Sequence, residues 1–496
     1  MPDPVEWPTR DLVSHRVGAT PERTAVVDAD RDTERTYREL DAAVDAVAAA
    51  FDAHCVGTGG PVAALVDTRP AVAELLHGAM RTGRTFAPLN VELDADTLGS
   101  QLDALGADLL VCERATESLA TEVADCPVVT VDDPAAAAVD GLPDTTPRRD
   151  VTPVELPEDE TGLVLFTSGT TSEPKGVRLT LGNLVASATA SAFRLGVVPG
   201  DRWLVCLPTY HMGGLAPFVR SALYGTAAVI QREFEPQATA RVMVDHGVTG
   251  VSLVPTICKR LLDAGWEPTD ALRFVLLGGG PASADLVDRC QRRGVPVCPT
   301  YGMTETASQI ATALPETAFA HGGTVGQPLV NTTVTVLSAD GEPVEPGQRG
   351  ELVVSGPTVT PGYLDDDATA AAFSDRGFHT GDRGYRDEDG RLWVVGRVDD
   401  RIVTGGENVD AGTVAAAVRD CPGVEDAAVV GLPDEEWGQR VAALVVGDTD
   451  AETVRGCCRA ELASYEVPKT VRVVDALPRT PSGTVDRDAV RRQLGA

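Results

Sequence analysis

Between residues 12 and about 126, segments with helical apolar spacing, such as 40–51, alternate with short continuous apolar runs, such as 62–66. This rhythm is the strongest constraint on the fold, because an apolar run flanked by amphipathic helices is what a parallel strand covered on both faces requires. Residues 132–160, DDPAAAAVDGLPDTTPRRDVTPVELPEDE, break it with Pro, Asp and Ala and read as an exposed connection. The pattern resumes at 162–167 and runs to about residue 393, with strands expected at 204–207, 250–254 and 274–277. After GRVDD at 396–400 a shorter unit follows, with helices at 412–419 and 451–462 and strands at 427–431, 441–446 and 471–474. The expected class is α/β: a large multi-subdomain N-terminal α/β region, residues 1–398, and a small α+β domain, residues 399–496, of ordinary domain size.

A chain of 496 residues can build two or three domains and a core that needs no staples. Its formal charge of −32 argues against a phosphate-backbone surface, which needs clustered cations, so no nucleic-acid partner is expected. Lys175, Lys259 and Lys469 are the only lysines; the Arg bias and heavy Asp/Glu content resemble proteins of salt-accumulating microbes, where screening tolerates such a charge. The ten Cys are scattered, with no C-x-x-C pair or zinc spacing, which suits a reducing cytoplasm and no structural metal. No window approaches the roughly 18 apolar residues of a membrane span.

The strongest local signal is TSGTTSEPKGV at 167–177, a Thr/Ser/Gly loop with one Lys that follows the apolar run GLVLF. Such a loop offers backbone N–H groups, hydroxyls and an ammonium to polyphosphate oxygens. It is not a Walker A loop, which would need Gly at Pro174 and Ser or Thr at Gly176. GGGPAS at 278–283 follows the strand pattern FVLL but ends in Ser where a dinucleotide fingerprint wants Gly or Ala. Taken alone, the first loop is equally compatible with a solvated turn.

Its companions change that. TSGTTSEPKGV, PTYHMGG at 208–214, GGGPA at 278–282, YGMTETASQ at 301–309, HTGD at 379–382 and GRVDDRIVTGGEN at 396–408 stand in one order along the chain. By these motifs the sequence resembles the acyl-adenylate-forming superfamily of acyl-CoA synthetases, luciferases and peptide-synthetase adenylation domains, from about residue 12 to 490. The resemblance implies an ATP-dependent acid–CoA ligase with ATP, Mg2+ and coenzyme A as its small-molecule partners. Thr167, Ser168, Gly169, Thr170, Thr171 and Lys175 would wrap the β- and γ-phosphates. Thr304 would contact the α-phosphate and Glu305 would hold Mg2+. Gly278, Gly279, Gly280, Pro281 and Tyr301 would form the adenine slot, Tyr301 by stacking. Asp382, helped by Arg397, would accept the ribose hydroxyls, and His211 would gate the acyl pocket. Asp399 matches the hinge about which the small domain swings, bringing Gly405 and Gly406 to line the pantetheine tunnel. An anionic nucleophile meeting a polyanion needs cations, donors and positioning, and no side-chain nucleophile.

Within the superfamily, GGGPA, YGMTETASQ and TGGEN look most like the o-succinylbenzoate–CoA ligases of menaquinone biosynthesis. Arg220 matches a basic position there and would pair the carboxylate that does not react, with Ser308 and Gln309 as further polar candidates. The plain alternatives are solvated loop carboxylates for Glu305 and Asp382, a satisfied core histidine for His211, a surface helix arginine for Arg220 and a glycine turn without function at 404–408. Rival functions are a ligase for a fatty or simple aryl acid and a degenerate nucleotide-binding protein. The last is motivated by Thr484, which stands where the superfamily places a catalytic Lys; Arg479 and Arg487 are the nearby candidates to substitute. Ser172 and DAGT at 410–413 also depart from the family pattern.

Overall fold

A computed structural model describes residues 10–55, 59–137, 139–142, 152–167, 175–405, 407–434, 437–479 and 485–495, the side chains of Asp399, Arg401 and Asn408 excepted. Among these residues a nine-stranded and an eight-stranded sheet dominate the large region. The α/β alternation of the sequence produces both. Arg202–Val205, Ala227–Ile230, Gly250–Leu253, Phe274–Leu277 and the start of Val297–Met303 pair in parallel in the first. Val62–Leu65, Phe86–Pro88 and Leu109–Cys112 do so in the second.

Successive strand residues point to opposite faces, so a continuous apolar run feeds two cores at once. Val26 belongs to the core between the two sheets and Val27 to the outer core of the first. Ala64 and Leu65 divide in the same way about the second sheet. The inner core also takes the buried faces of Tyr37–His54, Pro70–Arg81, Leu181–Leu195 and Met212–Tyr224. The helix expected over 40–51 begins earlier, at Tyr37, because Thr36 and Glu39 close a capping box. The strand expected at 204–207 lies instead at Arg202–Val205, where Ala227–Ile230 sets the register and Pro208 follows soon after.

A five-stranded antiparallel sheet holds Thr333–Leu337, Gly350–Ser355, Gly377–Arg386 and Leu392–Arg397. Beyond it, Arg401–Thr404, Glu407–Asp410, Val424–Asp434, Gly438–Gly447 and Thr470–Val474 make a sheet of their own with cores on both faces. The helix Ala411–Arg419 explains DAGT: the Asp410 carboxylate accepts from Thr413 N at 3.0 Å as its N-cap, and a Cβ on Gly412 would lie 1.8 Å from Val395 O. Cys421 and Cys457, 5.8 Å apart at Cα, are joined by a disulfide that the scattered Cys spacing did not announce. No helix among the described residues is long and apolar enough to cross a membrane.

Candidate active site

The expected nucleotide residues come from four elements that converge. The strands Thr161–Thr167 and Lys175–Thr180 form a hairpin neck that sets Thr167 opposite Lys175. Ser168, Gly169, Thr170, Thr171 and Ser172 lie outside the described residues, as do Gly406 and Thr484. Gly278 follows the strand Phe274–Leu277, close-packed because a Cβ there would lie 2.7 Å from Thr300 Cγ2, and Gly279 takes φ +75°; Gly279, Gly280 and Pro281 are exposed.

Thr304 and Glu305 ride a one-turn 3-10 helix, Thr304–Thr306, at the end of Val297–Met303. Behind it the backbone is forced: Ala307 has φ +50° and Ser308 φ +115°, and Ser187 Oγ holds Ala307 O at 2.6 Å. Glu305 is gripped at both ends, its carbonyl accepting from Thr360 N at 2.7 Å and its Oε1 from the Tyr363 hydroxyl at 3.0 Å. The Lys175 ammonium lies 5.3 Å from the centre of the Tyr363 ring. Burial pushes the Glu305 carboxyl up, while Tyr363, Arg397 and Lys175 draw it back.

Asp382 is 9% exposed and is not a solvated loop carboxylate. Its Oδ2 accepts from the Tyr301 hydroxyl at 2.7 Å and its Oδ1 from Arg397 Nη1 at 3.1 Å. Burial raises the Asp382 carboxyl and Arg397 opposes the rise; burial and the Asp382 charge together push the Tyr301 phenol well up. Tyr301 is thus an anchor for Asp382 as well as a candidate stacking ring. Thr360 and Tyr363 were not singled out from the sequence; the only local signal is Gly-Tyr in the segment TPGYLDD.

Three of the four acid-side candidates, Arg220, Ser308 and Gln309, also meet. Arg220, on the helix Met212–Tyr224, is 2% exposed and is no surface arginine. Its Nη2 donates to Gln309 Oε1 at 3.0 Å and Ser308 Oγ at 3.2 Å, and its guanidinium stacks 5.0 Å from the centre of the Trp203 ring. Its Nε is buried without a partner, and no acidic side chain among the described residues lies in ion-pair range of it. Burial alone lowers its pKa. His211 precedes the same helix, half-buried and edge-on to Tyr210 at 4.8 Å, and burial lowers it too.

Three expected residues stand apart from this gathering. Gly405, at φ +61°, packs on Trp437, where a Cβ would lie 2.5 Å from the indole, on the hairpin of the C-terminal sheet. Arg479 donates to Asp426 Oδ2 at 2.7 Å, and Arg487 pairs with Asp400, so both candidates for the missing lysine are engaged by carboxylates. Burial lowers the Arg487 pKa and the Asp400 charge opposes that shift.

A single half-buried carboxylate beside a lysine suits Mg2+, which takes most of its ligands from phosphates and water, and no cage of three acidic, His or Cys groups is present among the described residues. Residues 13–364 match the AMP-binding enzyme family model and residues 413–484 match that of the AMP-binding enzyme C-terminal domain. The 2-succinylbenzoate–CoA ligase of Geobacillus kaustophilus is 39% identical over 491 residues, 97% of each chain. Among solved structures, o-succinylbenzoate CoA synthetase (MenE) from Bacillus subtilis with the acyl-adenylate intermediate OSB-AMP superposes with a TM-score of 0.90 at 32% identity, covering 98% of each chain. The same enzyme with ATP and magnesium ion also gives 0.90 at 32% identity, covering 98% of this chain and 99% of that one. A converged set of phosphate, ribose and metal candidates on this architecture, matched along nearly its whole length, places the chain in the AMP-binding enzyme family of adenylate-forming ligases.

Proposed function

We propose that the chain activates 2-succinylbenzoate with ATP as its acyl-adenylate and passes the acyl group to coenzyme A, a step of menaquinone biosynthesis. The observation that carries the choice of acid is Arg220: a buried guanidinium with an unpartnered Nε and, among the described residues, no carboxylate in ion-pair range, set beside Ser308 and Gln309. A buried charge left unpaired costs several kcal/mol. The second carboxylate of a dicarboxylic acid supplies the missing partner, and a monocarboxylic acid does not.

In this reading Lys175 and the loop before it hold the β- and γ-phosphates, Thr304 the α-phosphate, Gly278 to Pro281 the adenine and Asp382 with Arg397 the ribose. Magnesium, held by Glu305, supplies charge compensation on the triphosphate. The substrate carboxylate attacks the α-phosphorus and pyrophosphate leaves; the thiol of coenzyme A then attacks the acyl carbon and AMP leaves. His211 lines the acyl pocket. The chain divides at 398/399, with Asp399 as hinge; the ion pairs Arg383–Asp410 at 3.5 Å and Lys259–Glu425 at 3.6 Å would part when the small domain turns to present Gly405 and Gly406 to coenzyme A. The acidic, Lys-poor composition suits a salt-rich cytoplasm.

The test is AMP formation from a panel of acids, with and without coenzyme A, in high-salt buffer. Arg220→Ala is expected to lower kcat/KM for the dicarboxylic acid about a hundredfold while sparing simple aryl acids. Equal losses on monocarboxylic acids would sink the assignment of the substrate, and absence of acid-dependent ATP–pyrophosphate exchange would sink the enzyme.

A further inference from the structure

Residues 356–364 connect two nucleotide motifs that are far apart in the chain. Gly362 and Tyr363 pair with Arg178 and Val177, adding an edge strand to the strand that opens with Lys175. From the other side, Asn183 Nδ2 donates to Pro357 O at 2.8 Å and Val359 O at 2.9 Å, fixing the segment to the helix Leu181–Leu195. Thr360 Oγ1 receives the Gly362 N–H at 3.0 Å, and Thr369 Oγ1 accepts from Tyr363 N at 2.9 Å. Gly362, at φ +142°, admits Thr369 so closely that a Cβ would lie 2.4 Å from its Cγ2. The backbone of Tyr363 is therefore held directly by Val177 and Thr369, and the segment leading to it by Asn183 and Thr360, before its side chain does anything.

That side chain is 5% exposed, and its two ends meet different groups. The hydroxyl donates to Glu305 Oε1 at 3.0 Å and the ring face lies 5.3 Å from the Lys175 ammonium. With Thr360 N on the Glu305 carbonyl at 2.7 Å, one rigid segment sets both the backbone and the carboxylate of the same residue. We infer that Tyr363 is a positioning residue of the adenylation step, holding the magnesium-binding carboxylate of Glu305 and the phosphate-binding ammonium of Lys175 in one register. The inference rests on the roles proposed above for Glu305 and Lys175. A carboxylate with one oxygen occupied by a fixed donor presents the other in one orientation, so a metal meets it without reorganisation.

Calorimetric titration of ATP into the full-length protein, with and without magnesium, separates the two contacts. Tyr363→Phe keeps the ring and removes the hydroxyl: the magnesium concentration for half-saturation is expected to rise about tenfold, with ATP affinity in the absence of magnesium unchanged. Tyr363→Leu removes both contacts and is expected also to weaken magnesium-free ATP binding about fivefold. In a Glu305→Gln background, Tyr363→Phe should change the magnesium response no further. A Tyr363→Phe protein that titrates like wild type, one that loses both affinities equally, or a further loss in the Glu305→Gln background would each overturn the inference. Wild-type protein that binds no ATP would overturn the functional reading as well, which keeps the two failures apart.

Discussion

Of the three arginines almost completely buried in the large region, Arg84 has Asp52 at 3.5 Å, and the other two, Arg81 and Arg220, are buried in opposite ways. Arg81 is 1% exposed and saturated: Asp11, Asp41 and Asp45 all accept from it, together with Ser14 Oγ and the Asp41 carbonyl. Arg220 is 2% exposed and, among the described residues, meets neutral acceptors and the face of Trp203 with no carboxylate in ion-pair range. The first guanidinium has its pKa raised by its carboxylates against the effect of burial, and the second is lowered by burial with no carboxylate to oppose it. A satisfied buried charge holds elements together; an unsatisfied one is stored demand for a ligand's charge. The contrast is the physical ground on which Arg81 is read as scaffold and Arg220 is proposed as a site residue.

It can be broken most severely at the scaffold end. Arg81→Met leaves the fully buried Asp11 without its cation and is expected to cost about 4–5 kcal/mol of unfolding free energy in denaturant titration. A loss below about 1 kcal/mol would show that the cluster is not structural. Arg220→Met sharpens the other side: the melting temperature should hold or rise, while kcat/KM for the dicarboxylic acid falls about a hundredfold, equivalent to roughly 3 kcal/mol. A Met variant that unfolds early would erase the distinction.

His77, on the helix that ends in Arg81, tests the scaffold by pH. It is 1% exposed and burial pushes it down to about 4. The unfolded chain takes up that proton near 6.5, so the unfolded state binds more protons in between and stability rises with pH across the window. The contribution is complete above 6.5 and roughly 3 kcal/mol of it is lost as pH falls towards 4. His77→Gln should flatten that limb of the stability curve, and an unchanged acid limb would remove His77 as its cause. The smallest effect is expected at Ser308. Ser308→Gly relieves a non-glycine φ of +115° and should stabilise by about 1 kcal/mol, whereas Ser308→Ala keeps the strain and should not. Equal melting temperatures for the two would show that the conformation is unstrained.

Much of the fold was legible because it is written locally. Continuous apolar runs at 62–66 and 274–277 became covered parallel strands, and the helix expected over 451–462 became Ala451–Glu461 behind the cap of Asp450. Strand ends were less legible: Arg202–Val205 takes its limits from its neighbour. In the candidate site, Glu305, Asp382 and Arg397 were picked out by the order of motifs and Arg220 by its match to a basic position of the o-succinylbenzoate–CoA ligases, and the structure brings them into two polar clusters. Tyr363 and Thr360 escaped notice because nothing within a few residues of them shows that Glu305, 58 positions from Tyr363, will face the same point.

Residue types and their order can be read without any coordinates: a hydroxyl-rich loop ending in Lys175, the acidic residues after Thr304 and in HTGD, and Thr in place of Lys at 484. The loop and the carboxylates follow from chemistry that any fold performing the proposed reaction must supply, whereas Thr484 departs from it. That Arg220 is buried with no carboxylate of the described residues in ion-pair range, that Trp203 covers it, and that Arg479 and Arg487 are engaged by Asp426 and Asp400 emerges only when the elements pack. Local patterning reports which face of an element is apolar, whereas the partner of a buried charge is set by which elements pack around it.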